Sequence, residues 1–191
     1  MTKADLRKEA RARRRDFVKA KQSAAFPTKG TGVAALEQLL APSSCIAGYR
    51  AMHSEADPAN LLQHLAHLGH KLALPWIGDD GSAMLFRRWG PSDPLELAVD
   101  QFEQPLADAE ACAPDIILLP LLGFDRAGNR LGQGAGHYDR ALAHLPNALR
   151  IGLAWSVQEF AALPADAWDI PLDAILTEAE WIATPYCRIT S

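Results

Sequence analysis

The apolar run at residues 115–121, Asp-Ile-Ile-Leu-Leu-Pro-Leu, is the feature that most restricts how this chain can fold. A strand without polar alternation is typical of a parallel sheet that helices cover on both faces. Other strand-like runs span residues 44–51, 71–77, 83–88, 150–155 and 173–177. Predicted helices span residues 3–21, 31–40, 59–68 and 136–145. Their alternation predicts an α/β fold: a single three-layer domain over residues 1–191, with a mostly parallel or mixed sheet and helices on both faces.

Three connecting segments carry predictions of their own. Gly78-Asp79-Asp80-Gly81 lies between two strand-like runs and predicts a hairpin. Asp57-Pro58 predicts a helix start, with Asp57 as the N-cap and Pro58 at the first helical position. Residues 90–113 are rich in Pro and acidic residues, so we expect them to be irregular.

The charge of the chain is unevenly distributed. Residues 1–21 contain nine Lys or Arg and three Asp or Glu, which is a net charge of +6, whereas the whole chain has −4 and the remainder therefore −10. Residues 3–21 contain no Gly or Pro, which predicts a basic N-terminal helix. A basic arm on an acidic body indicates a local anionic partner. It argues against a nucleic-acid-binding protein, which normally has a basic face.

Composition also bears on location and assembly. No apolar run reaches the length of a membrane span, and the first 20 residues contain no apolar stretch typical of a signal peptide. The three cysteines form no CxxC pair and no metal-ligand spacing, which suits a reducing compartment. We therefore expect a cytoplasmic protein without a membrane partner, as a monomer or a weak homo-oligomer.

A glycine-rich loop, Gly132-Gln133-Gly134-Ala135-Gly136, follows the apolar strand and a polar turn, and a predicted helix follows the loop. In open α/β sheets, ligands bind outside the carboxyl ends of the strands. Glycines allow backbone N–H groups to approach phosphate oxygens, and a helix start adds a positive dipole end. The segment therefore predicts a phosphate-binding loop.

Two well-known phosphate-binding motifs do not match this loop. The dinucleotide fingerprint requires a third glycine where His137 stands, and an acidic residue about 20 positions further on, which is missing. The Walker A motif requires Lys-Ser/Thr where Asn129-Arg130 follows Gly128. The alternative is a helix-entry turn in which glycines only relieve strain. The flanking polar side chains favour a ligand site: Arg130, Tyr138, Asp139 and Arg140.

The residues around the loop resemble the signature of 5-formyltetrahydrofolate cyclo-ligases, also called methenyltetrahydrofolate synthetases. The matching pattern is Phe-Asp-x-x-Gly-x-Arg-Leu-Gly-x-Gly-x-Gly-x-Tyr-Asp-Arg over residues 124–140. Three shorter segments are similar too: Lys3-x-x-x-Arg7, Tyr49-Arg50-Ala51 followed by Glu55, and Trp168-Asp169-Ile170-Pro171-Leu172-Asp173. The chain departs from the family at His137, where many members have Tyr, and in residues 99–105, which match the folate-side loop only at Gln104-Pro105.

The resemblance implies an enzyme that converts 5-formyltetrahydrofolate and ATP to 5,10-methenyltetrahydrofolate, ADP and phosphate. ATP would phosphorylate the formyl oxygen, and ring closure would then release phosphate. Mg²⁺ is the implied metal, because phosphoryl transfer requires neutralised charge. The alternative function is a nucleotide-binding regulatory protein without turnover, against which the joint presence of Glu55, Asp139 and Asp169 argues. A nucleic-acid-associated protein that uses the basic arm is a further alternative, disfavoured by the acidic body.

The resemblance also implies the residues of the nucleotide site. Lys3 and Arg7 lie one helical turn apart, so both can reach a single anion. Arg130 and Tyr138 are the implied catalytic residues, and Arg130 and Arg140 are candidates for phosphate contacts. The alternative is that the whole basic arm is a solvated helix face, which we expect for residues 11–15, and Arg140 has the same alternative. The residues assigned to ATP are Lys3, Arg7, Gly132, Gln133, Gly134, Ala135, Gly136, His137, Tyr138, Asp139 and Arg140.

Metal and folate contacts are implied in the same way. Asp139 and Asp169 would be the carboxylates on the Mg²⁺ side. Asp139 has the alternative of an ordinary first-turn acid favoured by the helix dipole, and Asp169 that of a surface turn residue. Glu55 and Arg50 would contact folate, since a carboxylate can accept hydrogen bonds from the amino-pyrimidinone edge of a pterin. Glu55 could instead cap the helix that begins near Pro58.

Overall fold

The computed structural model of the chain describes residues 2–78, 83–98, 102–134, 136–166 and 168–188. Its helices are α1 Lys3–Lys21, α2 Thr31–Gln38, α3 Ala59–His67 and α4 His137–Ala143, with a short 3₁₀ helix at Ser156–Gln158. Its strands are β1 Cys45–Ala47, β2 Lys71–Trp76, β3 Leu85–Arg88, β4 Leu95–Leu97, β5 Glu103–Pro105, β6 Ile116–Pro120, β7 Gly123–Phe124, β8 Arg130–Leu131, β9 Leu149–Leu153, β10 Ala174–Leu176 and β11 Trp181–Ala183. None of the helices in these ranges is long and apolar enough to cross a lipid bilayer.

A mixed sheet of seven strands is the centre of the described structure, in the order β11-β10-β9-β6-β1-β2-β3. The five inner strands run parallel to one another. The edge strands β3 and β11 are antiparallel to their neighbours. Strand β6 lies in the middle of the order, as its uninterrupted apolar sequence predicted. The predicted α/β fold with a mostly parallel or mixed sheet is confirmed.

Alternate side chains of β6 pack on opposite faces of the sheet. Ile116 and Leu118 belong to one apolar cluster, and Ile117 and Leu119 belong to another. The first cluster also contains side chains of α1, α2 and α3: Phe17, Val33, Leu36, Leu61, Leu62 and Leu65. The second contains Ala141 and Leu142 of α4. Helices therefore cover both faces, and the three-layer architecture is confirmed, while the domain limits 1–191 stay a prediction.

The sequence predictions differ from the structure mainly in the short ribbons. The prediction that residues 90–113 are irregular is wrong, because strands β4 and β5 pair there. The side chain of Gln104 in β5 is buried, and its oxygen accepts a hydrogen bond from the Ile77 amide at 3.0 Å. The β7–β8 ribbon and β11 were not predicted either. The hairpin between β2 and β3 is confirmed by their antiparallel pairing, although residues 79–82 of its turn lie outside the described residues.

Helix α1 packs against the part of the chain that follows β6. Leu6 and Ala10 form a small buried cluster with Leu122, Leu131, Phe160 and Leu163. Thr2 begins the helix with a capping box, in which its hydroxyl accepts from the Asp5 amide at 3.2 Å. Residues 11–15 are not simply a solvated face, because Arg14 is only 4% exposed. The packing therefore brings the basic helix to the carboxyl end of the central strand.

Asp173 fixes the C-terminal segment to the sheet through two arginines. Its side chain is fully buried and accepts from Arg150 Nε at 2.7 Å and from Arg188 Nε at 2.8 Å. Burial raises the pKa of Asp173, but the hydrogen bonds from Arg188 and Arg150 outweigh it and hold that pKa below its usual value. The ionised carboxylate is therefore the form that stabilises the fold.

Replacing Asp173 by Asn should destabilise the protein, because two arginines lose the charge that compensates them. We expect the free energy of unfolding to fall by about 3 kcal/mol, the lower end for a broken buried ion pair, since both arginines reach solvent. The loss of unfolding free energy relative to wild type should be complete at pH values above the unfolded-state pKa of about 3.9. It should shrink at lower pH, since the pKa of Asp173 in the folded state is lowered. Urea unfolding at several pH values measures this. Asp108→Asn, at an exposed carboxylate, is the control, and equal stability of the two variants would contradict the assignment.

Candidate functional site

A cavity of about 870 Å³ opens at the carboxyl ends of the parallel strands. Residues that follow β1 and β6, the glycine loop before α4 and the first turns of α1 line it. The volume lies in the range of small-molecule sites in proteins, about 300–1,000 Å³. The position is also the one at which open α/β sheets bind ligands.

The cavity brings together the site residues predicted from the sequence. Ala135 lies outside the described residues. All the others line the cavity: Lys3, Arg7, Arg50, Glu55, Arg130, Gly132, Gln133, Gly134, Gly136, His137, Tyr138, Asp139, Arg140 and Asp169. Residues that are far apart in the chain thus share one surface, while their individual roles stay predictions.

The glycine loop is held by its own backbone conformation and by α1. Gly134 has φ +113° and Gly136, which precedes α4, has φ +67°, so both positions favour glycine. Gly132 needs no such conformation, and a Cβ built there meets no atom within 4 Å. Arg7 Nε donates to the Gly132 carbonyl at 3.0 Å. Arg7 therefore holds the loop through the Gly132 carbonyl, while the space beside the Gly132 Cα stays open.

Arg130 and Asp139 form an ion pair at the wall of the cavity. The Arg130 side chain is largely buried and donates to Asp139 Oδ1 and to the Ile170 carbonyl. Burial lowers the pKa of Arg130, and the negative charges of Asp139 and Asp169 oppose that shift. Asp139 thus does more than an ordinary first-turn acid, because it compensates a buried cation.

Lys3 joins the start of α1 to Asp166 and Asp169. Its ammonium donates to Asp166 Oδ2 at 2.6 Å and to Asp169 Oδ2 at 3.1 Å. Burial raises the pKa of Asp169, but hydrogen bonds from the Asp166 amide and from Lys3 outweigh it and lower that pKa overall. Lys3 and Arg7 therefore contact different groups of the same cavity.

The carboxylates of the cavity fit a metal that is shared with a ligand. Within the described ranges, no three His, Cys, Asp or Glu side chains converge on a metal position. Asp139 and Asp169 both line the cavity and offer the hard oxygens that Mg²⁺ prefers. Mg²⁺ commonly takes one or two carboxylates and completes its shell with water and phosphate oxygens. The donor set thus suits Mg²⁺ bound together with phosphates.

Glu55 lines the cavity beside the glycine loop, and it is only 7% exposed. Its Oε2 accepts from the Met52 amide at 3.0 Å, and its Oε1 accepts from Gln133 Nε2 at 3.4 Å. It does not cap α3, because no side chain in the described ranges caps that helix. The predicted helix start is wrong by one residue: Pro58 is the N-cap and Ala59 the first helical residue, although Asp57 Oδ1 accepts from the Ala59 amide at 3.0 Å. The alternative role of Glu55 as a helix cap is therefore wrong.

Arg50 and Tyr138 are two further predicted residues that line the cavity. Arg50 Nε donates to Glu103 Oε2 at 2.7 Å, in an ion pair at the rim. Burial, with the negative charge of Glu55, raises the pKa of Tyr138, so its hydroxyl stays protonated near neutral pH. Tyr138 can therefore donate a hydrogen bond but does not supply an ionised oxygen.

Several lining residues were not assigned a role from the sequence. Ile77, Met84 and Phe102 form an apolar wall, and Trp168 stands at the rim with 73% of its surface exposed. The wall residues carry no motif, because only the pairing of distant segments brings them together. Asp166 precedes Asp169 by three positions, a spacing that could have suggested a shared partner.

Comparison with known proteins agrees with this geometry. The model of the 5-formyltetrahydrofolate cyclo-ligase family matches residues 1–178 of the chain. The 5-formyltetrahydrofolate cyclo-ligase of Escherichia coli (strain K12) is 30% identical over 146 residues, which cover 71% of this chain and 80% of that protein. The corresponding protein of Mycolicibacterium smegmatis is 33% identical over 140 residues, 69% of this chain and 72% of that protein.

A solved structure leads to the same family. The NMR structure of Aquifex aeolicus 5,10-methenyltetrahydrofolate synthetase is 28% identical in sequence and superposes with a TM-score of 0.75. The match covers 100% of this chain and 95% of that one. Together with the family match over nearly all of the sequence, it shows that the chain belongs to the 5-formyltetrahydrofolate cyclo-ligase family.

Proposed function

We propose that this chain converts 5-formyltetrahydrofolate and ATP to 5,10-methenyltetrahydrofolate, ADP and phosphate. The observation that carries the proposal is a single cavity lined by two kinds of group. Lys3, Arg7 and the glycine loop offer groups that suit phosphates, and the buried carboxylate of Glu55, which Gln133 of the loop contacts, offers an acceptor that suits a pterin. A reaction between a phosphate donor and a folate requires both ligands in one such space.

The reaction requires the formyl oxygen to become a good leaving group. That oxygen belongs to an amide-like group, so it leaves poorly. In the proposed reaction it attacks the γ-phosphorus of ATP, and ADP departs. The N-10 nitrogen then attacks the formyl carbon and loses its proton to solvent, and the oxygen leaves as phosphate. The protein mainly has to align the reactants and neutralise charge.

Cations and backbone groups suit the proposed nucleotide end. Arg7 uses one N–H on the Gly132 carbonyl, and a guanidinium has five donors, so others remain to bind phosphate oxygens. Gly132 leaves space beside the loop into which a phosphate can approach. Arg130, the proposed catalytic cation, can balance charge on the transferring group while Asp139 orients it.

Asp139 and Asp169 are the residues that would hold Mg²⁺ in this proposal. When bound, Mg²⁺ neutralises charge on the phosphates and on the transferring phosphoryl group. Both carboxylates also pair with cations of the chain, Arg130 and Lys3. These pairs orient the carboxylates at the cavity wall.

Glu55 and the apolar wall suit the proposed folate end. A buried carboxylate can accept two N–H groups from the amino-pyrimidinone edge of a pterin. Ile77, Met84 and Phe102 offer an apolar surface for the flat ring. Tyr138, the second proposed catalytic residue, can donate its hydroxyl proton in a hydrogen bond to the reacting group. The cytoplasmic location and the monomeric or weakly associated state stay predictions.

Turnover of 5-formyltetrahydrofolate tests the function. We expect the purified chain to form 5,10-methenyltetrahydrofolate, followed by its absorbance, only when ATP and Mg²⁺ are both added. Binding of ATP and folate without product would contradict the enzymatic proposal and favour the regulatory alternative.

The same assay tests the metal role with a matched pair of variants. Asp169→Asn and Asp166→Asn each remove one carboxylate from Lys3. We expect the Mg²⁺ concentration for half-maximal turnover to rise by about tenfold or more in Asp169→Asn and to stay unchanged in Asp166→Asn. Losses of this size are typical of residues that support a metal. An equal shift in both variants would assign the effect to Lys3 instead of the metal.

Gly132→Ala tests the glycine loop as a phosphate site. The fold should tolerate the methyl group, because it meets no atom within 4 Å. The methyl should hinder phosphate approach and weaken ATP binding by about tenfold, the equivalent of one lost charged hydrogen bond. Calorimetric titration measures the affinity, and thermal unfolding checks the fold.

Gly134→Ala is the comparison variant, since the φ of +113° at Gly134 should make that variant lose stability as well. Unchanged ATP affinity of folded Gly132→Ala would exclude the phosphate site.

A further inference from the structure

Arg14 is a buried cation that belongs to α1 but does not line the cavity in the described structure. Its Nε donates to Ser54 Oγ at 3.1 Å, and its Nη1 donates to the Leu121 carbonyl at 3.4 Å. The same Nη1 lies 3.7 Å from Glu55 Oε1. Arg14 therefore stands directly behind the carboxylate that faces the cavity.

We infer that Arg14 is a positioning residue, which holds the Glu55 carboxylate in the orientation that binds the pterin edge of the folate substrate. The inference rests on the proposed function, because it takes Glu55 as a folate contact. Arg14 acts through Glu55 and touches no substrate itself. The role differs from that of Lys3 and Arg7, whose side chains line the cavity.

The contacts around Glu55 explain why an arginine is needed there. A carboxylate that is 7% exposed requires compensation, since an unpaired buried charge is costly. The Met52 amide binds Oε2, whereas Arg14 and Gln133 share Oε1. Burial lowers the pKa of Arg14 and the charge of Glu55 raises it, and an arginine remains protonated at neutral pH. Arg14 therefore supplies the full charge opposite Glu55.

A merely structural role is the competing explanation, because Arg14 also ties α1 to the segment after β6 through Leu121. The two roles predict different kinetics. A structural tie would affect stability and both substrates together. A positioning role would affect the folate alone.

The test is Arg14→Met, which keeps much of the buried volume, alongside Arg14→Lys, which keeps the charge. We expect Arg14→Met to raise the KM for 5-formyltetrahydrofolate by about tenfold, the equivalent of one charged contact, while the KM for ATP changes little. Arg14→Lys should recover part of the loss. Arg15→Met on the same helix is the control, since that side chain is 70% exposed and pairs with Asp16.

A double-mutant cycle sharpens the result. With Glu55→Gln in place, Arg14→Met should add little, because coupled residues are not additive. Equal rises in both KM values, or full additivity with Glu55→Gln, would overturn the inference. If Arg14→Met fails to fold, the KM values of Arg14→Lys decide in the same way. Absence of wild-type turnover would contradict the proposed function instead, and calorimetric folate affinity would then replace KM.

A second and independent observation concerns Cys45 and Cys112. The two residues are 67 positions apart in sequence, yet their Sγ atoms are 3.8 Å apart. Cys45 begins β1 and is buried, whereas Cys112 is partly exposed. The hydrogen bond with Cys112 lowers the pKa of Cys45 to about 7 against the effect of burial, and Arg88 adds to the lowering. The lowered pKa favours the thiolate, which is the reactive form in disulfide exchange.

The geometry points to a modification site: a reversible disulfide between Cys45 and Cys112, formed by exchange with a small-molecule disulfide such as glutathione disulfide. One protein thiolate attacks the glutathione disulfide and expels a glutathione thiolate. The second protein cysteine loses its proton, attacks the mixed disulfide at the protein sulfur and expels the other glutathione. Two protein thiols become one disulfide, and their protons end on two glutathione molecules.

The position of the pair predicts its effects. Cys45 is the first residue of β1, whereas the cavity is lined by residues beyond the other end of that strand, such as Tyr49. A cross-link there closes a long loop and restricts the unfolded chain. We therefore expect the disulfide to raise the thermal midpoint without changing the KM values.

Peptide mapping of the full chain after incubation with glutathione disulfide tests this site. We expect a peptide pair linked through Cys45 and Cys112 and lighter by two hydrogen atoms, with Cys187 not joined to either. Cys112→Ser should abolish the linkage, and Cys187→Ser should leave it intact. Mixed disulfides with glutathione alone, or a linkage to Cys187, would overturn the proposal.

Discussion

Contact between helix α1 and the carboxyl end of the sheet is the interaction on which the site depends. Leu6 and Ala10 provide the apolar part of that contact. Three cations on the helix then reach three parts of the cavity: Lys3 meets Asp169, Arg7 meets the Gly132 carbonyl, and Arg14 meets Glu55. The nucleotide and folate ends of the proposed site are therefore built on one helix, so its displacement would disturb both.

Around this cavity, cationic side chains pair with carboxylates, and charges of one sign do not form a separate patch among the described residues. Lys3 with Asp169, Arg130 with Asp139 and Arg50 with Glu103 each bring a cation to a carboxylate. For Arg130, which is largely buried, pairing also avoids the cost of an isolated charge. It also fits a reaction that moves a phosphoryl group, because arginine and lysine retain donors for phosphate while the carboxylates remain available to a metal.

The sequence predicted the parts of the structure that local patterns encode. The apolar run of β6, the glycine loop and the basic α1 each carry a pattern of their own: β6 lies in the middle of the sheet, α1 spans the predicted helix, and α4 follows the loop. Contacts between residues that are far apart in the sequence could not be predicted. Arg14 looks like its exposed neighbours until α1 is packed, Gln104 looks like a loop residue until it binds Ile77, and Cys45 is brought to Cys112 only by the fold. Such contacts depend on tertiary structure and leave no periodicity in the chain.

The central claim is that one cavity holds a nucleotide and a folate side by side. NMR titration of labelled protein, first with a non-hydrolysable ATP analogue and then with 5-formyltetrahydrofolate, tests it most directly. The account predicts that the ATP analogue shifts amide signals of Arg7, Gly132 and Gly134, and that the folate shifts those of Met52 and Glu55. Responses confined to residues outside the cavity, or one set of amides for which the two ligands compete, would contradict it.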